Sequence, residues 1–456
     1  MASPPQRHTR ARPEGRARSA SYLVGSQLAG SVLVLVSGLT VARALGPVGK
    51  GFHDVVVNSA TLLTTFTGLS IGSGIFFYAS RQGVEAWALL RFVGVGTAAT
   101  VALVLVALTA APAAPFVGWL LPRSTGAEVA PLLVALLLGA MHLQQAGQAM
   151  AKGLGHYRDF AISELVIRGG TVVGVVGLFA AGIRDPAPYV GVLLAAVLLA
   201  SLLLFAREAA RAGPRRSPLP LRAIVRYSLP LFVGNAVQFL NYKLDVYFVN
   251  GWLGLRAVGT YTLAVWLSQM LWLLPNAVGA LVLQAAARAD RPEAALDELC
   301  RLNRLCLALT VLGATALAGG AAAFVGPAVG HEFRAAVRPL VVLLPGVVAF
   351  TTAILLSAFL NGMRRQHYTT LIAFASLAVT VAADVVLIPR LGIAGAAAAS
   401  TLSYATTTLL TVLVVRRTVP ALSVRALLVP QSADVAAVRY VLGHVVGRVR
   451  RGLRVS

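Results

Sequence analysis

The chain has 456 residues, of which 57% are hydrophobic and only 12% charged, with a formal net charge of +23. A soluble protein of this length carries about twice that charged fraction, so a water-soluble enzyme or carrier is excluded. Long apolar runs recur throughout and the ~10-residue alternating segments of a membrane β-barrel are missing, which leaves a polytopic helical membrane protein. In such a protein the excess of Arg reads as loop charge on the cytoplasmic side rather than as a nucleic-acid surface.

In chain order, residues 1–20 form a basic tail with Arg7, Arg10, Arg12, Arg16 and Arg18. It is expected to be disordered, and it is not a signal peptide, because the apolar run behind it is too long and lacks a cleavage site. Twelve spans follow, at about 21–42, 53–79, 88–111, 129–150, 160–182, 188–206, 227–250, 258–285, 303–325, 339–360, 369–388 and 393–415. Pro230, Pro275 and Pro345 lie inside spans and are expected to bend them. With a cytoplasmic N-terminus, 29 Lys and Arg fall on the cytoplasmic side and 8 on the other, so both termini are expected to be cytoplasmic. Cys300 and Cys306, the only cysteines, have a spacing that fits no common zinc pattern and are read as reduced.

The longest internal loop, 207–226, holds six Arg and divides the chain into an N-lobe (21–206) and a C-lobe (227–415) of six spans each. The halves echo one another. Leu45-Gly46-Pro47-Val48-Gly49 and Leu253-Gly254 with Val258-Gly259 occupy the same place between spans, about 208 to 210 residues apart. His156-Tyr157 recurs as His367-Tyr368, 211 residues later. A near-constant offset in the same topological position points to two parallel six-span repeats, with a binding site expected at their interface near mid-membrane. Beyond span 12, residues 416–456 form a second basic tail. Within it, 434–454 place valines and leucines on one helical face and arginines on the other, as in a helix lying on an anionic leaflet; a disordered tail is the alternative.

Polar and ionisable groups inside spans are costly and mark helix contacts or function. In span 7, Asn235, Gln238, Asn241 and Asp245 recur on one helical face and are expected to line a wet, partly cationic cavity. Asp245 is read either as a carboxylate for a proton or Na⁺ or as an interhelical contact. Lys243 either meets a phosphate or snorkels. Glu164 and Arg168, four apart with the acid first, suit an intrahelical ion pair, and the guanidinium also suits phosphate oxygens. Arg91 near the inner end of span 3 is placed to greet a head group. His142, Gln144, Gln145 and Gln148 make polar ridges on span 4, suited to sugar hydroxyls or to packing, and Asp384 in span 11 has both readings open. No catalytic residue and no metal ligand is assigned. The sequence has no Walker A motif, no HExxH and no GxGxxG opening a βαβ unit, which excludes ATP hydrolysis by this chain.

Ser228-Leu229-Pro230, LNYKLDVYFVNGWLG at 240–254, VGTYTLAVWLSQMLWLLPNAVGALVL at 258–283 and IPRLGIAGAAAASTLSY at 388–404 carry a resemblance, joined by ARALGPVGKGF and GLSIGSGIFFYASR in the first half. On these segments the chain resembles the MOP exporter superfamily, specifically the bacterial polysaccharide or oligosaccharide flippases, over about 21–415. The resemblance implies an all-α membrane protein of twelve transmembrane helices in two pseudo-symmetric six-helix lobes, working by alternating access. It implies a non-enzyme of the bacterial cytoplasmic membrane that moves an undecaprenyl-pyrophosphate-linked oligosaccharide from the inner to the outer leaflet, with H⁺ or Na⁺ coupling and no other cofactor. Expected partners are the lipid-linked glycan, the bilayer and the polymerase and glycosyltransferases of polysaccharide synthesis. The substrate-binding candidates are Arg91, Arg168, Lys243, Asn241, Gln238 and Gln145; the ion-coupling candidates are Asp245, Glu164 and Asp384. A cation-coupled multidrug antiporter of the same superfamily and a lipid II flippase are the alternative readings.

Overall fold

The computed structural model describes residues 13–82, 86–110, 115–123, 127–211, 221–289, 291–429 and 431. Every regular element among them is helical: α1 (Pro13–Gly68), α2 (Ile71–Gln82), α3 (Ala86–Ala110), α4 (Pro115–Leu120), α5 (Ala130–Gly153), α6 (Tyr157–Ala180), α7 (Pro186–Arg211), α8 (Leu221–Leu253), α9 (Leu255–Gln269), α10 (Leu273–Arg288), α11 (Leu296–Val329), α12 (Val337–Gly362), α13 (Gln366–Leu391), α14 (Ile393–Thr418) and α15 (Val424–Leu428). Eleven stretches are long and apolar enough to cross a bilayer, counting α9 and α10 as one broken helix. One of the eleven, within α1, bends at a non-helical Gly46, so it supplies two legs and the expected twelve are present. Exposed apolar side chains such as Val95 (73%), Val173 (74%) and Leu312 (66%) suit lipid and would be out of place in water.

The chain divides into two compact units, residues 1–236 and 237–456, with the division inside α8 rather than in the basic loop before it. In the first unit α1, α5, α6 and α7 pack together, with α2 and α3 against α5. In the second, α12 is the central helix, packed on α9, α10, α11 and α14, and α13 packs on α14. Both units bend the backbone at matching places. Gly46 (φ 63°, ψ −177°) and Gly254 (φ 79°, ψ −179°) turn between the first two legs of each half, in a region essentially confined to glycine, where a side chain costs about 1–3 kcal/mol. Pro47 reinforces the first of these turns, since a residue before proline is driven out of the helical region. After α5, the His156 amide donates to the Ala151 carbonyl at 2.8 Å; after α12, the Arg365 amide donates to Leu360 at 2.9 Å. The residues preceding these amides, Gly155 (φ 80°) and Arg364 (φ 58°), are both left-handed. These agreements in hydrogen bonding and chirality carry the internal repeat further than the sequence echoes could.

Several expectations need correction. Helix α1 already runs at Pro13, so the latter part of the supposed tail 1–20 is helical; its Ala, Arg and Glu favour extending a helix once the span has nucleated it. The second predicted span is broken at Leu69 and Ser70, both left-handed, into the end of α1 and the short α2. Pro230 and Pro345 do not break α8 and α12, which run on through them. At Pro275 the helix tightens into a 3-10 turn over Met270–Trp272, the local response to the missing amide. Of the loop 207–226, residues 207–211 and 221–226 are helical and the rest lies outside the described residues, as does the amphipathic segment 434–454.

Candidate functional site

The first unit contains a cavity of about 620 Å³. The broken helix α1/α2 supplies Ser70, Gly72, Ser73 and Phe76; α5 supplies Gln145, Gln148, Ala149 and Lys152; and the first half of α8 supplies Tyr227, Leu231 and Asn235. Asn235 Nδ2 donates to Ser70 Oγ at 3.0 Å, which ties α8 to the strained link between α1 and α2. Tyr227 stacks on Phe77 with centroids 4.4 Å apart. The lining therefore offers amides, hydroxyls, aromatic faces and one cation, and it contains no carboxylate.

Behind the cavity wall, Gln148 Nε2 donates to Glu164 Oε1 at 2.8 Å, and Arg168 Nη2 meets Glu164 Oε2 at 2.7 Å. The four-residue spacing thus forms the expected intrahelical ion pair. Arg168 lies across α1 at Gly30, where any larger side chain would overlap the guanidinium. Neither Arg168 nor Arg91, which is exposed on α3, lines the cavity. His142 Nε2 and Thr67 Oγ1 lie 3.1 Å apart, a packing contact between α5 and α1.

The polar face of α8 does not run through one wet surface. Asn235 is exposed to the cavity and Gln238 is half-buried, but Asn241 and Asp245 are sealed inside the second unit. Asn241 Oδ1 accepts from Thr380 Oγ1 at 2.9 Å and from Ser403 Oγ at 3.1 Å. Asp245 accepts from the Tyr261 hydroxyl, from Ser400 Oγ at 3.1 Å and from the Val246 amide at 2.8 Å. Asp384, fully buried, lies within electrostatic reach of Asp245, and neither of its oxygens has a hydrogen-bond partner. Lys243 is half-buried on the same helix. The expectation that Asn241 and Asp245 line a cavity is not met in this conformation: small hydroxyl residues on α13 and α14 let these helices close on α8 and consume its polar groups. The same cluster unites Asp245 and Asp384, 139 residues apart, which sequence reading had treated separately.

A third polar knot joins the α5–α6 turn to the end of α7. His156, Asp159 and Glu208 bring one ligand atom each within 4.8 Å of the others. Asp159 is already bound by Arg207 at 3.1 Å and by Arg211, and Glu208 by His156 at 2.8 Å and Arg211 at 3.3 Å. These atoms form an ion-pair network. Cys300 and Cys306 are buried and free, packed in the core of the second unit.

Lys152 was passed over in the sequence, where it counts as a loop charge. The signal was there: Gln144, Gln148 and Lys152 follow at four-residue spacing, so the polar ridge of α5 continues one turn further than its amides suggest.

With this geometry in hand, the profile of the family described as polysaccharide biosynthesis protein matches residues 17–283, more than half of the chain. The chain belongs to that family. A search of curated proteins by sequence finds no match. Solved structures share the fold across nearly the whole chain. A multidrug resistance MATE family transporter of the MOP superfamily, in an inward-facing conformation, is 13% identical with a TM-score of 0.70, over 88% of this chain and 98% of its own. The lipid II flippase MurJ, in an inward closed conformation, is 12% identical with a TM-score of 0.71, over 89% and 88%. A MOP superfamily transporter from Pyrococcus furiosus, described as having a binding pocket of reverse polarity, is 13% identical with a TM-score of 0.59, over 88% and 94%. The chain is a multi-pass membrane protein with the MOP-superfamily fold.

Proposed function

We propose that the protein is a flippase that moves an undecaprenyl-pyrophosphate-linked oligosaccharide from the inner to the outer leaflet of the bacterial cytoplasmic membrane, by alternating access and without covalent chemistry. The observation that carries this reading is the cavity of the first unit: a space of about 620 Å³ walled by amides, hydroxyls and aromatic rings in a protein otherwise dressed for lipid. Sugar hydroxyls exchange hydrogen bonds with water for hydrogen bonds with Gln145, Gln148 and Asn235, which lowers the cost of taking a glycan past the hydrocarbon core. The membership in a polysaccharide biosynthesis family supports the glycan as cargo. The polymerase and glycosyltransferases of the same route are its partners, and the bias of 29 basic residues against 8 supports cytoplasmic termini.

The buried pair Asp245 and Asp384 supplies the coupling to H⁺ or Na⁺ in this reading. Two carboxylates buried within electrostatic reach of each other are costly as structure alone, and a cation that visits one conformation and leaves in the other relieves that cost in a state-dependent way. Organic-cation antiport fits the cavity poorly, since its lining holds an ammonium and no carboxylate.

A strain lacking the gene is expected to lose surface polysaccharide and to retain the lipid-linked oligosaccharide in its inner leaflet. Unchanged export in a strain with no second copy would overturn the proposal. Uptake of a fluorescent organic cation into vesicles holding the purified protein would favour the antiporter instead.

A further inference from the structure

We infer that Lys152 is the cation that meets the acidic group of the transported glycolipid, a role that Arg168 is not placed to take. The inference rests on the flippase reading above and gives it a residue and a ligand chemistry: a phosphate or carboxylate oxygen at the end of the first-unit cavity.

The argument is one of charge assignment. Three ionisable groups lie on or behind this wall. Glu164 has its two oxygens committed, Oε1 to Gln148 at 2.8 Å and Oε2 to Arg168 at 2.7 Å. Arg168 is thereby neutralised, and it stands outside the cavity, pressed over Gly30. Lys152 lines the cavity, and among the described residues no carboxylate comes within ion-pairing distance of it. Its ammonium sits 4.9 Å from the centre of the Phe160 ring, which holds the head in place without cancelling its charge. A cation on a polar wall with no carboxylate in direct contact, Glu164 acting on it only electrostatically from farther off, raises the local concentration of anions and forms its strongest hydrogen bonds with them.

The surroundings have the same sign. Gln145 and Gln148 bring amide donors, and the first turn of α2, at Gly72 and Ser73, presents the positive end of a helix beside them. Lys152 is in the last turn of α5, adjoining the turn that carries Arg158. That end of the helix lies on the side where the charge bias puts the cytoplasm, and there the acidic group of an incoming lipid is met first.

The test uses the full-length protein in detergent and three lipids: undecaprenyl pyrophosphate, dodecyl glucuronide and dodecyl glucoside. K152Q is expected to weaken binding of undecaprenyl pyrophosphate, dodecyl glucuronide or both by about tenfold, the size of a lost charge-assisted hydrogen bond. Which of the two weakens separates phosphate from carboxylate as the source. Dodecyl glucoside should bind K152Q and wild type alike, and K152R should hold the acidic lipid within about threefold of wild type. E164Q keeps Lys152 and removes the carboxylate whose charge acts on it, so it should tighten acidic-lipid binding several-fold while leaving the glucoside unchanged. Acidic lipids binding K152Q as they bind wild type would overturn the inference. If K152Q fails to fold, absence of any tightening in E164Q overturns it. Flipping of lipid-linked oligosaccharide by wild-type vesicles is scored in parallel. Persistent flipping with a neutral K152Q result removes Lys152 and spares the flippase reading, whereas no flipping by wild type removes the reading itself.

Discussion

Asp384 shows how differently two carboxylates in one cluster can be held. Asp245 accepts from a hydroxyl, a phenol and a backbone amide, so its removal takes a shared acceptor from Tyr261 and Ser400, which keep only each other at 3.1 Å in a buried site. D245A is expected to lower stability by about 1–3 kcal/mol, the cost of unmaking a buried charged network, read as a drop in thermal midpoint in detergent. Asp384 accepts nothing from any described residue and is fully buried. D384N therefore removes no hydrogen bond and relieves the burden of burying a carboxylate. It is expected to leave the midpoint unchanged or to raise it, while abolishing the dependence of transport on a Na⁺ or H⁺ gradient. A D384N protein that is markedly less stable would show that the carboxylate is structural, and one that transports with an intact gradient dependence would remove it from coupling.

At the scale of elements, the second unit ends its central helix α12 with a non-glycine in the left-handed region: Arg364 at φ 58° stands where the first unit has Gly155 at φ 80°. A side chain there costs about 1 kcal/mol that glycine does not, at a helix end where glycine is favoured. R364G is expected to stabilise the protein by about 0.5–1 kcal/mol, whereas G254A, at φ 79°, should cost about 1–2 kcal/mol; thermal unfolding of the two variants against wild type reads both signs. This scale is also where the sequence was most legible. Span positions follow from apolar length alone, and the glycine turns at Gly46 and Gly254 stand out because only glycine accepts that backbone cheaply. The ion pair of Glu164 and Arg168 was legible because four-residue spacing fixes the geometry within one helix. What escaped depends on contacts between helices. Nothing in the local pattern around Asn241 and Asp245 says whether the polar face of α8 meets water or the hydroxyls of Thr380, Ser400 and Ser403, more than 130 residues away. The break at Leu69–Ser70 escaped for the same reason, since neither residue type predicts a left-handed backbone.

For the whole molecule, the two units share a backbone plan and differ in where they keep charge. The first places Lys152 on a cavity wall with Glu164 and Arg168 behind it; the second buries Asp245 and Asp384 within electrostatic reach of each other. The turns repeat and the side chains around them do not, which agrees with the proposed division between cargo recognition and ion coupling. The chain beyond α14 is divided as well. Leu422 and Leu427 are buried in the core of the second unit, beside Leu299, Cys300 and Phe359. Asn303 Nδ2 donates to the Leu427 carbonyl at 3.0 Å and Arg304 to that of Ala426, so α15 is fastened to α11 by its backbone as well as by its side chains. Residues 417–429 are therefore packed into the second unit. Each of the two leucines contributes about 1.5–3 kcal/mol, and Asn303 and Arg304 would lose their acceptors with the strap. Deletion of 432–456 is expected to leave the thermal midpoint within a degree or two of wild type. Deletion of 417–456 should lower it by far more and reduce the yield of folded protein, and L427A should reproduce part of the loss. Equal midpoints for the two deletions would show that the strap is not holding the bundle. A large drop on removing 432–456 alone would move the structural boundary into the basic tail.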